Sequence, residues 1–228
     1  MSGTERKVDI GDVRSFAPEV QRIRRMMLDI RRGTPESAVS WEHPADLLVK
    51  KEPFHGEIAN VLNITLTPTG CEWAKSGGCT MCGEWSGSTL GKKVDANFHI
   101  AQFTTAIAEV MPTLKTPWIR IYQEGSYTNP HEVDPLAQQT ILRSASLIKG
   151  VEKITIETMA RYVTDDSARA IREAVGNDVE LELGIGFEAQ DDTIRTVCVN
   201  KGESISQFTA ALQVLKAHDI KTLAYVLV

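Results

Sequence analysis

Beyond residue 98 the apolar positions of the chain switch regularly between a period of about 3.6 and a period of about 2, which restricts the fold to strands joined by helices. Ile100, Phe103, Ile107 and Val110 make a helical stripe, and Trp118 to Tyr122 then reads as a strand. Asp134 before Pro135 is an N-cap with proline at the first helical position, and Gly150 closes that helix. Lys153 to Glu157 is the next strand. Thr164 caps a helix holding Ile171 and Val175 and ending at Gly176. Val179 to Phe187 follows as a strand, Ser204 caps a helix bearing Phe208, Ala211, Leu212 and Leu215, and Lys221 to Val228 is the last strand. Upstream, Ala59 to Thr67 is short, β-branched and bounded by Pro68 and Gly70, so it opens the series. Five strands separated by helices predict parallel βαβ units.

The N-terminal quarter differs. Residues 17 to 32 place Val20, Ile23, Met27 and Ile30 on one helical face and spread Arg22, Arg24, Arg25, Arg31 and Arg32 around the rest. The stretch 33 to 57 carries Gly33, Pro35, Pro44, Pro53 and Gly56 and reads as an irregular connector. Two parts follow: 1–57, a basic helix with its connecting segment, and 58–228, an α/β core. At 228 residues with 42% hydrophobic content, the whole can bury a full core. The net charge of −5 gives no global attraction to a polyanion, so nucleic-acid contact would need a local basic patch. The opening residues Met1 to Lys7 are polar, and no apolar run nears the roughly 18 residues that span a bilayer, so a soluble, cytoplasmic protein without membrane contact is expected.

Ligand sites in parallel α/β folds collect at the carboxyl ends of the strands, and every unusual loop here falls at such an end. The first of them holds three of the four cysteines, Cys71, Cys79 and Cys82. Three thiols within twelve positions are a poor disulfide framework and a good metal signature. A CxxC pair lets two sulfurs of one turn reach one iron–sulfur cluster, while Gly77 and Gly78 let the loop swing Cys71 round to a third iron. One iron is then left open for substrate or cofactor. A zinc site completed by His99 or His55 is the alternative, and free buried thiols a further one. Cys198 reads as a small buried apolar residue rather than a ligand.

Thr67 to Cys71, Gly78 to Gly83 and the βα pattern after them resemble the radical S-adenosylmethionine (SAM) superfamily. More narrowly they resemble the branch with the archaeosine-synthase radical SAM subunit (RaSEA-type proteins) and its uncharacterised bacterial relatives, which uses a CX7CX2C-like spacing. The resemblance runs from about residue 59 to the C-terminus and includes Val199 to Gly202 and Ala224 to Leu227. It implies a partial parallel (β/α) barrel with an N-terminal helical extension. It also implies that Cys71, Cys79 and Cys82 ligate three irons of a [4Fe-4S] cluster while SAM chelates the fourth. Reductive cleavage of SAM then abstracts a substrate hydrogen, with electrons from a ferredoxin- or flavodoxin-type donor.

The same resemblance assigns further positions. Met81 stands where the superfamily has an aromatic that packs the adenine. Glu124, Gly125 and Ser126 occupy the place of the glycine-rich turn that meets the SAM methionine, although a plain strand-ending turn would look the same. Glu157 and Arg161 match positions that contact the ribose or carboxylate, or else form an ordinary ion pair. Gly184 to Glu188, with Gly186 and Glu188 foremost, resembles the segment near the adenine. That glycine pattern is not followed at once by a helix, which rejects a dinucleotide-binding reading.

Two features concern the substrate. The arginines of 17–32 outnumber Glu19 and Asp29, and either meet RNA phosphates or form a solvated face. Trp73 and Trp85 flank the cysteine loop, to stack on a base or to shield it. Barrels of this superfamily have six strands, and five are counted before the chain stops at Val228, which reads as truncation or as a side completed by a partner. The expected function is a radical SAM enzyme, of tRNA-modifying lyase type in archaeosine formation with tRNA and a modifying partner protein. The alternatives are the same chemistry on a small molecule or lipid, and a zinc-stabilised binding module without catalysis.

Overall fold

A computed structural model describes residues 17–35 and 39–227; the polar opening and Val228 lie outside them. Eleven helices and strands of regular length follow one another: α1 (Ala17–Arg32), β1 (Asp46–Phe54), β2 (Glu57–Thr65), α2 (Ala96–Val110), β3 (Trp118–Tyr122), α3 (Pro135–Ser146), β4 (Lys153–Thr158), α4 (Asp165–Val175), β5 (Glu180–Glu188), α5 (Ile205–Ala217) and β6 (Lys221–Val226). The strands form one sheet in chain order. β2 to β6 are parallel neighbours, each joined to the next through one helix, as the alternation predicts. The sheet is not closed: β1 and β6 are its two edges among the described residues.

The caps read from the sequence hold the helices. Asp134 accepts from the Leu136 amide, Thr164 from Ser167 and Ser204 from Gln207, the last two as reciprocal capping boxes. α3 ends at Leu147 rather than at Gly150.

The connector 33–57 needs correction. It contains β1, which pairs antiparallel with β2 through a two-residue turn at His55 and Gly56, both at positive φ (50° and 84°). Pro53 is tolerated because β1 is an edge strand. The strand count is therefore six, not five, and the added strand lies at the N-terminal edge.

Alternate residues of each parallel strand face the helices. Leu62, Ile64, Ile119, Ile121, Ile154, Ile156, Leu181 and Leu183 are fully or almost fully buried in one cluster with Phe103, Ile141, Ile171 and Leu215. The opposite face is polar. There Arg120 makes a bidentate pair with Glu52 of β1 at 2.6 Å on both arms. Arg120 and Lys153 each lie 4.1 Å from the ring centre of Trp118. Trp118 donates to Thr155 at 2.8 Å, and Thr155 and Lys153 both reach Glu182, at 3.0 and 2.8 Å. This ladder is the floor beneath the strand ends that carry the site.

Truncating wholly buried Ile156 to alanine is expected to cost about 2–5 kcal/mol, read as a lower urea midpoint at unchanged slope. An unmoved midpoint would contradict this core.

Candidate functional site

The carboxyl ends of β2 to β6 surround a cavity of about 400 Å³, within the range of small-molecule sites. Cys71, Cys79 and Cys82 all line it. β2 delivers them: the chain leaves it through Leu66 to Gly70, turns once in a short 3-10 helix (Glu72–Ser76), and passes Gly77 and Gly78 at φ of 117° and 70°. The Cys71 thiol lies 4.0 Å from the Met159 sulfur at the end of β4. Burial pushes the Cys71 thiol up to about 12, helped by Glu132, and the Cys79 thiol up to about 11 against the opposing pull of Lys201. Neutral thiols are what a desolvated wall imposes, whereas a bound metal deprotonates a coordinating thiol outright.

Of the other expected residues, Met81, Glu124, Gly125, Glu157, Gly186 and Glu188 line the same cavity, and Ser126 and Arg161 do not. Ser126 is buried beneath the turn, donating its amide to Glu132 and accepting from the Met159 amide through its hydroxyl. Arg161 turns away to Glu203 and the Gly202 carbonyl, and lies over Trp73. Gly125 has no room for a side chain, since an added Cβ would meet Glu132 Oε2 at 2.2 Å. Gly186 leaves space for the Lys201 ammonium, which pairs with Glu188 at 3.0 Å, and Gly184 for the Tyr225 hydroxyl. Glu124, at φ 58°, donates its amide to the Glu157 carboxylate at 3.1 Å. Both carboxyls are raised to about 7, by burial first and then by neighbouring carboxylates that include Glu84.

Four groups escaped the sequence reading. Glu132 is buried and accepts from the amides of Glu72 and Ser126 and the side chains of Gln123 and Asn129, at 2.6–2.9 Å. Lys201 sits within the Val199–Gly202 stretch that the resemblance already marked. Arg31 and Asn200 grip the cysteine loop: Arg31 donates to the Gly77 and Cys79 carbonyls, and Asn200 to the Gly78 carbonyl. For Arg31 the available signal was the excess of arginines in one helix upstream of a Gly-Gly pair.

Other expectations also resolve. Cys198 is exposed rather than buried, and its carbonyl accepts from the Thr80 hydroxyl. His99 is fully buried against the Thr67 carbonyl, and His55 lies in the β1–β2 turn, about 30 Å of strand from the cysteines; neither lines the cavity. Among the described residues no three His, Cys, Asp or Glu side chains converge on one metal-ion position. Trp73 lines the cavity between the guanidinium groups of Arg24 and Arg161, while Trp85 packs on Gly70. No helix among the described residues is long and apolar enough to cross a membrane.

No family model matches the chain, and no solved structure does. It is similar to an uncharacterised protein of Methanocaldococcus jannaschii, 32% identical over 174 residues, covering 75% of this chain and 47% of that protein. It is also similar to two proteins named archaeosine synthase subunit beta. The one from Methanosarcina acetivorans is 27% identical over 207 residues, covering 90% of this chain and 58% of that one. The one from Thermococcus kodakarensis is 26% identical over 175 residues, covering 75% and 53%. The chain thus spans about half the length of the curated relatives it matches, and its sequence is linked to archaeosine synthase through two of them.

Replacing Glu132 by glutamine, which turns an acceptor into a donor facing N–H groups, is expected to cost about 2–3 kcal/mol in urea unfolding; a neutral effect would refute its place as a hub. Glu124 and Glu157 bind protons more tightly in the folded chain than at their ordinary value of 4.5. Their contribution to stability is full below about pH 4.5 and is lost as pH rises through about 7. Glu157→Gln is expected to flatten that decline in metal-free protein, and an unchanged pH profile would contradict the assignment.

Proposed function

We propose that this chain is the cluster-bearing core of a radical SAM enzyme of archaeosine type, with Cys71, Cys79 and Cys82 as ligands of a [4Fe-4S] cluster. The observation that carries the reading is that three cysteines of one loop all line a cavity ringed by five parallel strand ends. The donor set fits. Thiolates are the ligands iron–sulfur clusters take, and histidines that would complete a zinc tetrahedron are absent from the cavity lining. The cluster and SAM, when bound, supply one-electron cleavage of a sulfonium and removal of a substrate hydrogen.

The chain's own residues bind and orient. The turn at Glu124 and Gly125 offers backbone groups to an amino-acid moiety, because Gly125 permits close approach. Glu157, held by the Glu124 amide, faces the cavity as an acceptor for an ammonium or a ribose hydroxyl. Gly184 and Gly186 let the Tyr225 hydroxyl and the Lys201 ammonium lie close against β5 at the cavity wall. Met81 brings an exposed, polarizable side chain to the cavity lining. Lys201, fixed by Glu188, presents the cation for a carboxylate. Trp73, held between two arginines, shields the loop from water. The relatives' name supports archaeosine formation as the setting, which the family resemblance makes the breaking of a carbon–nitrogen bond in a lysine-modified deazaguanine of tRNA. A reductant of ferredoxin or flavodoxin type and a partner protein complete the proposal.

Anaerobic reconstitution with iron and sulfide is expected to give about four irons per chain and dithionite-dependent deoxyadenosine from SAM. Alanine at Cys71, Cys79 or Cys82 is expected to abolish both. Stoichiometric zinc without SAM turnover, or undiminished deoxyadenosine in any of the three variants, would refute the reading. Faster SAM cleavage with bulk tRNA than without it supports an RNA substrate, and no difference points to a small molecule.

A further inference from the structure

α1 does not present all its arginines to solvent. Arg31 is only 6% exposed, and its guanidinium forks onto the Gly77 and Cys79 carbonyls, the latter at 3.3 Å. Two turns of α1 earlier, Arg24 donates to Asn200 at 3.1 Å, while Asn200 donates to the Gly78 carbonyl at 2.7 Å and accepts from Trp73 through its own carbonyl. The paired glycines make this approach possible. A Cβ on Gly77 would stand 3.2 Å from the Arg24 backbone, and one on Gly78 would stand 2.8 Å from an Arg31 nitrogen. Gly77 and Gly78 are thus the surface on which α1 is seated, beyond any freedom they give the loop. Of the basic face expected to meet RNA, only Arg22, Arg25 and Arg32 point outward, against Glu19 and Asp29, and Arg32 is paired with Asp29.

We infer that Arg31 is a positioning residue of the cysteine loop whose charge beside Cys79 also sets the reduction potential of the metal centre. The inference rests on the cluster reading for its second half only. A guanidinium presents a planar fork to two carbonyl oxygens, which a lysine cannot match. It lines the cavity beside the loop and is almost wholly out of bulk water, where a charge is poorly screened. Cluster potentials follow net charge and hydrogen bonding around the sulfurs. A fixed cation favours the reduced, more negative cluster, so its loss must lower the potential.

Three variants separate the two roles: Arg31→Gln, Arg31→Lys and, as control, Arg25→Gln on the exposed side of the same helix. In metal-free protein, amide exchange is read at Gly77 and Thr80, which donate to Ala74 and to Val199. Reconstituted protein is titrated potentiometrically with the cluster spectrum as signal. Arg31→Gln is expected to speed exchange at both amides by about tenfold and to lower the reduced-to-oxidised ratio at fixed potential about tenfold, a shift of about 59 mV for one electron. Arg31→Lys is expected to keep the potential and lose the protection, and Arg25→Gln to change neither. Arg31→Gln matching Arg25→Gln in both readouts overturns the inference and leaves the cluster reading standing. Wild-type protein that takes up no iron defeats the cluster reading, while the exchange data still decide whether Arg31 holds the loop. Should Arg31→Gln fail to fold, Arg31→Lys decides: protection lost with potential kept supports the inference, and protection kept overturns it.

Discussion

The loops that follow β2 and β3 share one buried carboxylate. Glu132 is 2% exposed and has four hydrogen-bond donors, two on each oxygen, with no cation among them. Taking a carboxylate out of water costs several kcal/mol, so the charge is tenable only while all four donors stay in place. One of them is the amide next to Cys71, and another lies directly beyond Gly125. Cys71 and the turn at Glu124 to Ser126 are therefore fixed relative to each other through a single group. This explains why Gly125 admits no side chain, since the space beside it holds the Glu132 oxygen.

Beneath that hub the sheet is asymmetric. Parallel strands packed on helices need one apolar face, and the Ile and Leu positions of β2 to β5 supply it. The other face, from Glu52 through Arg120, Trp118, Lys153 and Thr155 to Glu182, is held by charged and polar pairs. Such a floor satisfies its buried groups only in one register, because each partner comes from a neighbouring strand. The strand ends above it, with Tyr122, Glu157, Gly184 and Tyr225, are set by that register. A site standing on strands keeps its geometry better than one standing on loops alone.

The five parallel strands and their caps were legible because local chemistry decided them: period, N-cap hydroxyls and carboxylates, and terminal glycine at Gly176. β1 was not, because Pro53 and Gly56 carry breaker chemistry that an edge strand and a tight turn both accept. For the site, the cysteines and the strand-end loops were legible by position. Side-chain direction was not. Ser126 follows two cavity residues in sequence, yet the backbone reversal at Glu124 turns it inward, and Arg161 is drawn off by Glu203, forty-two residues later. Arg31 shows the same limit. A helical wheel ranks it with its solvated neighbours, and only the tertiary approach of two glycines makes its burial favourable.

The sign of the cavity wall ties these parts together. Glu84, Glu124, Glu157 and Glu188 line it beside three thiols, while Lys201 and Arg31 are its cations. In a desolvated setting, unbalanced negative groups must take up protons, and the raised Cys71, Cys79, Glu124 and Glu157 are the ones that do so. Positive charge brought into the cavity would reverse that tendency, letting the sulfurs ionise as ligands and the carboxylates act as acceptors. A multi-iron core and a sulfonium both bring such charge. Arg31 and Lys201 share a common logic in this wall: each places a fixed cation beside the thiol loop.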